Sequence, residues 1–559
     1  MKLKKLFMRH YYFLVLLMTC SLQLSAQQND IVKTQGITSA LHQNNIGQII
    51  FTEKAITAAE LKKTDFLSAY TLTNKSNLFI TVFMGNSLTN YMHQLAPELN
   101  ADSLVKIGCY QFSLFIDDHL VYSSNLHPGA PYGSIKNFET IISKPLINYQ
   151  AENTLWTQSF WGRFMHFGGD SALTEGKHLL RMEIRPYVQL ATLKVGNLIA
   201  KGELNITVNR KPKIDLAKIN LNPVKAYDGF PVSTEKLDSN KIKELKAYID
   251  AAVFKNISSV VVIKNGKLLV EEYFNGEGRD TLHDPRSVGK SFASAITGIA
   301  MGEGYLKSED QTLKEFYDLK SFDHYSPLKE EVSIKNLLTM SSVFDGNDDI
   351  DASPGNEENM YPTDNWVKFA LSVPVSLTRP KDEWHYFTAG VILLGDILNK
   401  TVPGGLDKYA DEKLFKPLNI RDYKWQYTPQ HVPNTAGGIR LKALDFAKFG
   451  QLYKNDGKWN SKQVIPKFWI EKTFTKYKAL PGRNGEYYGY LFWNKKYVVK
   501  NKAYETFYCA GNGGNSIFVF KDQPLVIVIT ATAYGAPYAH PQVDQMMERY
   551  ILPAVIDTN

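Results

Sequence analysis

"PRSVGKSFASAITGIAMGEGYL", Pro285 to Leu306, decides how the second half of this 559-residue chain is read. Ser287 and Lys290 stand three residues apart at its head. Phe292, Ile296, Ile299 and Ala300 recur behind them at helical spacing, and Gly302 and Gly304 close the run. On a helix that spacing lays the lysine amine over the serine hydroxyl, one turn on and on the same face. A serine at a helix start also meets backbone N–H groups and the positive end of the helix dipole, both of which favour developing negative charge. The plain alternative is an N-cap serine followed by a solvated lysine. The pattern alone does not choose between them, because Ser-x-x-Lys also occurs at Ser103, Ser233 and Ser326.

Outward from this helix, Ile242, Leu245, Ile249 and Ala252 mark one face of a preceding helix, and "SSVVVIKNGKLLVEEYF" reads as two strands turned at Asn265-Gly266. Residues 233–559 are thus expected to form a mixed α and β unit, closed by a helix at "MMERYILPAV". Before it, Pro212, Pro223 and Pro231 punctuate a stretch without sustained period, read as a linker over 211–232. Residues 27–210 alternate with period two: Tyr110, Phe112, Leu114 and Ile116 before a turn at Asp117-Asp118, then Leu180, Met182 and Ile184, then Leu204, Ile206 and Val208. This predicts an accessory β-sandwich. Its aromatic segment with Trp156, Phe160, Trp161, Phe164 and Phe167 is read first as core or interdomain contact, and second as a sugar-stacking face that would give the protein a glycan or envelope partner.

The N-terminus carries Lys2, Lys4, Lys5 and Arg9, an apolar run from Tyr11 to Met18, and small residues ending at Ala26. This is the pattern of a signal peptide over residues 1–26, which implies a periplasmic or secreted protein. Lipid anchoring through Cys20 is disfavoured, since Leu-Met-Thr precedes it. The formal charge is +8, and removal of the four leader cations leaves +4, too little to argue for nucleic acid as partner. Three cysteines, of which Cys109 and Cys509 are far apart in the chain, make no disulfide framework and no zinc spacing.

Several stretches together resemble the serine β-lactamase and penicillin-binding-protein-like hydrolases, in particular the class C β-lactamase and esterase-like branch. They are "RSVGKSF", "SIKNLLTMSSVFD", "EWHYFTAGVILLGDIL", "AGGIRLKALDFAKFGQLYKNDGKWN" and "GNGGNSIFVF", in the family's order from about Asn222 to the C-terminus. The resemblance implies a central antiparallel sheet flanked by helices. It makes Ser287 the acyl-accepting nucleophile, Lys290 the cation that lowers its neighbours' pKa values or relays a proton, and Tyr386 the general base, deprotonated beside the lysine. Asn512, Gly513 and Gly514 would flank the pocket, with the backbone N–H groups of Asn515 and Ser287 forming an oxyanion hole. No metal or organic cofactor is implied. His385 is set aside, because no acid is placed beside it and the G-x-S-x-G elbow is missing.

Two positions depart from the antibiotic-hydrolysing pattern. Thr388 stands where an asparagine would help bind a substrate amide, and Asn512-Gly513 replaces the Lys-Thr that holds a substrate carboxylate. Loss of a charged hydrogen bond, worth ~1.5–3 kcal/mol, disfavours β-lactams and D-alanyl peptides. Val343 replaces a usual glycine, and the loop behind it is acidic, read as a solvated loop or as a rim that favours neutral or cationic substrates. The expectation is an exported serine hydrolase acting through an acyl-enzyme on a small-molecule or short-peptide ester or amide. A non-catalytic binding or scaffold protein on the same fold is the alternative.

Overall fold

The computed structural model describes residues 30–129, 131, 133–149, 158–350 and 352–556. The leader, with Cys20, and Trp156 lie outside them. The chain divides into two compact units, one ending at Pro212 and one running from Lys213.

In the first unit, a sheet built on strands Gly108–Ile116, Gly176–Gln189 and Ala200–Val208 shares its core with a three-stranded sheet of Ile49–Thr52, Asn77–Phe83 and Ile141–Asn148. The period-two residues lie where alternation puts them: Phe112, Leu114, Leu180, Met182, Leu204 and Ile206 are all buried between the sheets. Asp117 and Asp118 both take positive φ, the geometry of a tight hairpin turn. Short helices at Leu88–His93, Ala101–Ile107 and Gly133–Phe138 interrupt the strands, and one strand pair, Ala69–Leu72 with Ala200–Val208, is parallel. Phe160 and Phe164 are core residues, whereas Phe167 is 61% exposed and stacked on Tyr122.

The second unit is a three-layer structure. The strands of its main sheet are β1 (Ile257–Lys264), β2 (Lys267–Tyr273), β3 (Lys478–Ala479), β4 (Tyr487–Tyr488), β5 (Trp493–Val499), β6 (Lys502–Gly511), β7 (Asn515–Phe520) and β8 (Leu525–Ala531). They form one antiparallel sheet in the order β2-β1-β8-β7-β6-β5-β4-β3. Asn265 and Gly266 turn β1 into β2 with positive φ at both positions, as a two-residue hairpin requires. Helices α1 (Ser239–Asp250) and α5 (Ala539–Met546) cover one face, while α2 (Gly289–Gly302), α3 (Thr388–Thr401) and α4 (Ala443–Lys454) cover the other. Successive residues of β1 alternate between the two cores: Val260 and Val262 face α1, and Val261 and Ile263 face α2.

Two expectations change here. Helix α2 is not amphipathic: every residue from Gly289 to Ala300 is buried, and a methyl on Gly298 would lie 2.2 Å from the Trp469 ring. The proline-spaced stretch is not a free tether either. From Lys213 it belongs to the second unit, where Phe230 is buried edge-on against Trp459 and Tyr227 donates a hydrogen bond to Asp445 at 3.0 Å.

Candidate active site

Ser287 sits in the short 3-10 turn Arg286–Val288 that feeds α2. Arg286, just before it, takes φ +53°, a left-handed conformation unusual for a residue with a side chain. Two glycines let this turn be packed tightly. A methyl on Gly437 would come within 2.8 Å of the Arg286 carbonyl, and one on Gly511 would lie 1.9 Å from the Pro285 carbonyl oxygen and 3.1 Å from the Ser287 nitrogen.

Lys290 lies one turn into α2 and is 2% exposed. Its Nζ donates to Ser287 Oγ at 2.8 Å and to the Ala436 carbonyl at 2.7 Å. An ammonium this buried needs such partners, and it fixes the hydroxyl against the amine. At Ser326, by contrast, the same pattern makes only an N-cap, with the hydroxyl accepting from the Leu328 N–H at 3.3 Å.

Tyr386 enters the site from the segment ahead of α3. Its ring stacks on Trp493 with centroids 5.9 Å apart, and the Lys290 ammonium lies 5.2 Å from its centroid. Burial is the largest influence on the phenol and pushes its pKa above the ordinary value; Lys290 and hydrogen bonding with Ser287 pull it down, and Glu357 and Asp348 push it up. The net direction is upward. Burial thus works against the deprotonated tyrosine expected from the resemblance, and the Lys290 charge and the Ser287 hydroxyl work for it; only the deprotonated form can take a proton from Ser287. His385 is buried, and its pKa is pushed down to about 4 by desolvation and by Arg379, so it stays neutral.

Asp348 was missed in the sequence because it stands among several acids in what reads as a solvated loop. It ties that loop to the tyrosine segment. Its backbone N–H donates to the Tyr386 carbonyl at 2.8 Å, and its two carboxylate oxygens accept from the Thr388 N–H at 2.7 Å and the Glu357 N–H at 2.8 Å. Burial and the Glu357 charge push its pKa up to about 6, against the Thr388 hydrogen bonds and the Lys290 charge. Asp349 and Glu358 of the same loop face solvent.

The other expected substrate-binding positions are placed differently. Thr388, expected among the substrate-binding residues, is fully buried at the start of α3. Asn512, Gly513 and Gly514 are the turn of the β6–β7 hairpin, with Gly511 paired to Asn515 across it. The strand end beside the nucleophile is therefore Gly511 of β6. Asn515 is buried one strand further on; its side chain donates to the Asn512 and Ala531 carbonyls, each at 2.9 Å, and accepts from the Ala531 N–H at 3.0 Å. Asn512 is exposed next to Gly511, and its backbone N–H makes no hydrogen bond to another described residue. Asn512 directly follows Gly511, the residue packed on the Ser287 turn, whereas Asn515, named in the expectation, begins the strand that pairs with Gly511. The Ser287 N–H lies in the first turn of the helix, where backbone donors lack an intrahelical acceptor.

A serine held by a buried lysine, with a phenol against it, at the head of a helix under an antiparallel sheet, is the arrangement of a serine hydrolase. Residues 247–548, more than half of the chain, match the family profile Beta-lactamase, and the chain belongs to that family. Protein flp of Staphylococcus aureus strain N315 is 24% identical over 193 residues, 33% of this chain and 38% of that protein. The match thus spans about two fifths of the curated relative's length. Solved structures of similar fold include the octameric penicillin-binding protein homologue from Pyrococcus abyssi, with TM-score 0.44 and 19% identity over 56% of this chain and 76% of that one. The D-stereospecific amidohydrolase from Streptomyces sp. gives TM-score 0.42 and 17% identity over 53% and 95% respectively.

Proposed function

We propose that this protein is an exported hydrolase that cleaves an ester or amide through an acyl-enzyme on Ser287. The observation that carries the reading is the 2.8 Å contact between the buried Lys290 ammonium and Ser287 Oγ, with Tyr386 against both. In the phenolate form of Tyr386, whose negative charge Lys290 stabilises, the Tyr386 oxygen takes the Ser287 proton as Oγ attacks the carbonyl, leaving a neutral phenol. The Ser287 and Asn512 N–H groups receive the oxyanion, and the leaving group departs with the proton held by Tyr386. Water then attacks the acyl-enzyme along the reverse proton path and releases the acid.

The residues that end β6 are Cys509, Ala510 and Gly511, which bring neither a cation nor a hydroxyl to the nucleophile. That supports a substrate with no carboxylate held by this strand, and hence esterase or amidase activity over β-lactam turnover. The basic, apolar and small-residue leader pattern of residues 1–26 supports export. Among the described residues, no helix is long and apolar enough to cross a membrane.

Intact-mass spectrometry after a fluorophosphonate probe tests the reading. One adduct is expected on the wild type, absent in Ser287→Ala and slowed in Tyr386→Phe. A folded wild type that takes no adduct across pH and probe size would transfer the protein to the non-catalytic alternative.

A further inference from the structure

The segment ahead of the nucleophile carries a charged cluster that the mechanism does not use. Arg286 and Arg440 both face Asp284, with Nε to Oδ1 at 3.8 Å and Nη2 to Oδ2 at 3.5 Å. Their side chains are 50% and 57% exposed, against 22% for the aspartate. The Arg286 guanidinium lies 4.4 Å from the centroid of the Tyr534 ring, whose hydroxyl donates to the Asp284 carbonyl at 3.0 Å. Tyr534 in turn packs on the β6–β7 turn: a methyl on Gly513 would lie 2.8 Å from its Cδ1, and the neighbouring Gly535 N–H donates to Asn512 Oδ1 at 2.8 Å.

Two guanidiniums therefore share one carboxylate, and one positive charge is left over. That surplus sits on the residue adjacent to Ser287 and, through Tyr534, against the turn that carries the Asn512 N–H. Both arginines are half exposed, with ion-pair distances longer than a saturated fork-to-fork contact, so their planar donors remain accessible to a second anion. The left-handed backbone at Arg286 holds a charged side chain at a position where a strained conformation is kept only if its surroundings impose it.

We propose that Arg286 and Arg440 form an anion-recognising edge of the active site, and that the substrate carries a carboxylate or phosphate within a few bonds of the scissile carbonyl. The inference rests on the hydrolase reading above and names the substrate class that reading leaves open. The cation absent from the end of β6 is supplied from another segment, so the anionic group lies on a different side of the carbonyl from the one a β-lactam presents.

The test compares kcat/KM for two ester pairs, p-nitrophenyl butyrate against p-nitrophenyl hemisuccinate, and phenyl acetate against 3-acetoxybenzoate. They place a carboxylate on the acyl side and the leaving-group side in turn. The wild type is expected to favour the anionic member of at least one pair, with the advantage shrinking as salt is raised. Arg286→Asn, which suits the left-handed backbone, and Arg440→Gln should each cut that member by about tenfold and the neutral ester by less than about twofold. Lys462→Ala, at an exposed lysine of the short hairpin Lys458–Trp459 and Lys462–Gln463, serves as the charge control. Equal or lower rates for both anionic esters on an active wild type, or equal losses for charged and neutral esters in the arginine variants, overturn the proposal. A folded wild type without fluorophosphonate adduct and without turnover of any ester overturns the hydrolase reading, and this inference with it.

Discussion

Gly511→Ala separates the two candidate oxyanion donors. A methyl at this position would lie 1.9 Å from the Pro285 carbonyl oxygen, whereas real contacts of this kind stay beyond 3.0 Å. Strand β6 or the nucleophile turn must then retreat by more than an ångström, because both partners are backbone and neither has a flexible end to swing away. A misplacement of about 1 Å at a reacting centre costs on the order of 10²-fold, and loss of one oxyanion donor costs about 10²–10³ in kcat. The expected result is a fall of about 100-fold or more in kcat/KM for p-nitrophenyl acetate, with an unchanged far-ultraviolet circular dichroism spectrum. Asn515→Ala is the comparison. It removes a side chain with three hydrogen bonds from a buried site, so its effect falls first on stability, by about 1–3 kcal/mol. A Gly511→Ala protein that is folded and turns over within about threefold of the wild type would refute the placement of the oxyanion beside Gly511.

The raised pKa of Asp348 predicts a sign for its effect on stability. A carboxyl with a folded value of about 6 and an ordinary value of 3.8 binds its proton more tightly when folded, so its contribution is fully present at low pH and is lost as pH climbs through 6. Between pH 5 and pH 7 that loss is roughly 1 kcal/mol for one group. The stability of wild type minus that of Asp348→Asn, measured by urea unfolding with tryptophan fluorescence, should therefore fall by about this amount over that interval; a rise contradicts the burial argument. The raised phenol of Tyr386 predicts that the fluorophosphonate labelling rate keeps climbing as pH approaches 10, and a plateau below pH 8 would remove the phenol as base.

The sheet and its helices were legible because their signals are local. Alternation of Val260 to Ile263 and positive-φ pairs at Asp117-Asp118 and Asn265-Gly266 need no knowledge of distant partners. The Ser287–Lys290 pair was legible for the same reason, its geometry being set by one helical turn. What escaped depends on tertiary register. The run Gly511-Asn512-Gly513-Gly514 offers three glycines for one close approach, and only the packing against Pro285 selects the first. Thr388 lies two residues after Tyr386, an offset that does not tell a pocket position from a helix start sealed by Asp348. Asp348 itself carries no pattern, because nothing in an acidic loop marks which carboxylate turns inward. Phe230 looked like part of a tether because its partner, Trp459, is distant in the chain.

Burial of α2 on every side has a consequence for how this scaffold can vary. A helix wrapped by α3, α4 and the sheet cannot slide or rotate without unpacking the unit's main core, so the reactive hydroxyl is a fixed point of the molecule. Changes in what is hydrolysed must then come from the chain segments that surround it, such as the loop with Asp349 and Glu358 or the turn at Tyr534, which can be exchanged without touching the helix. Engineering should follow that division: Lys290 kept, volume-conserving swaps alone inside Ser291–Ala300, and free choice of residue type at the rim.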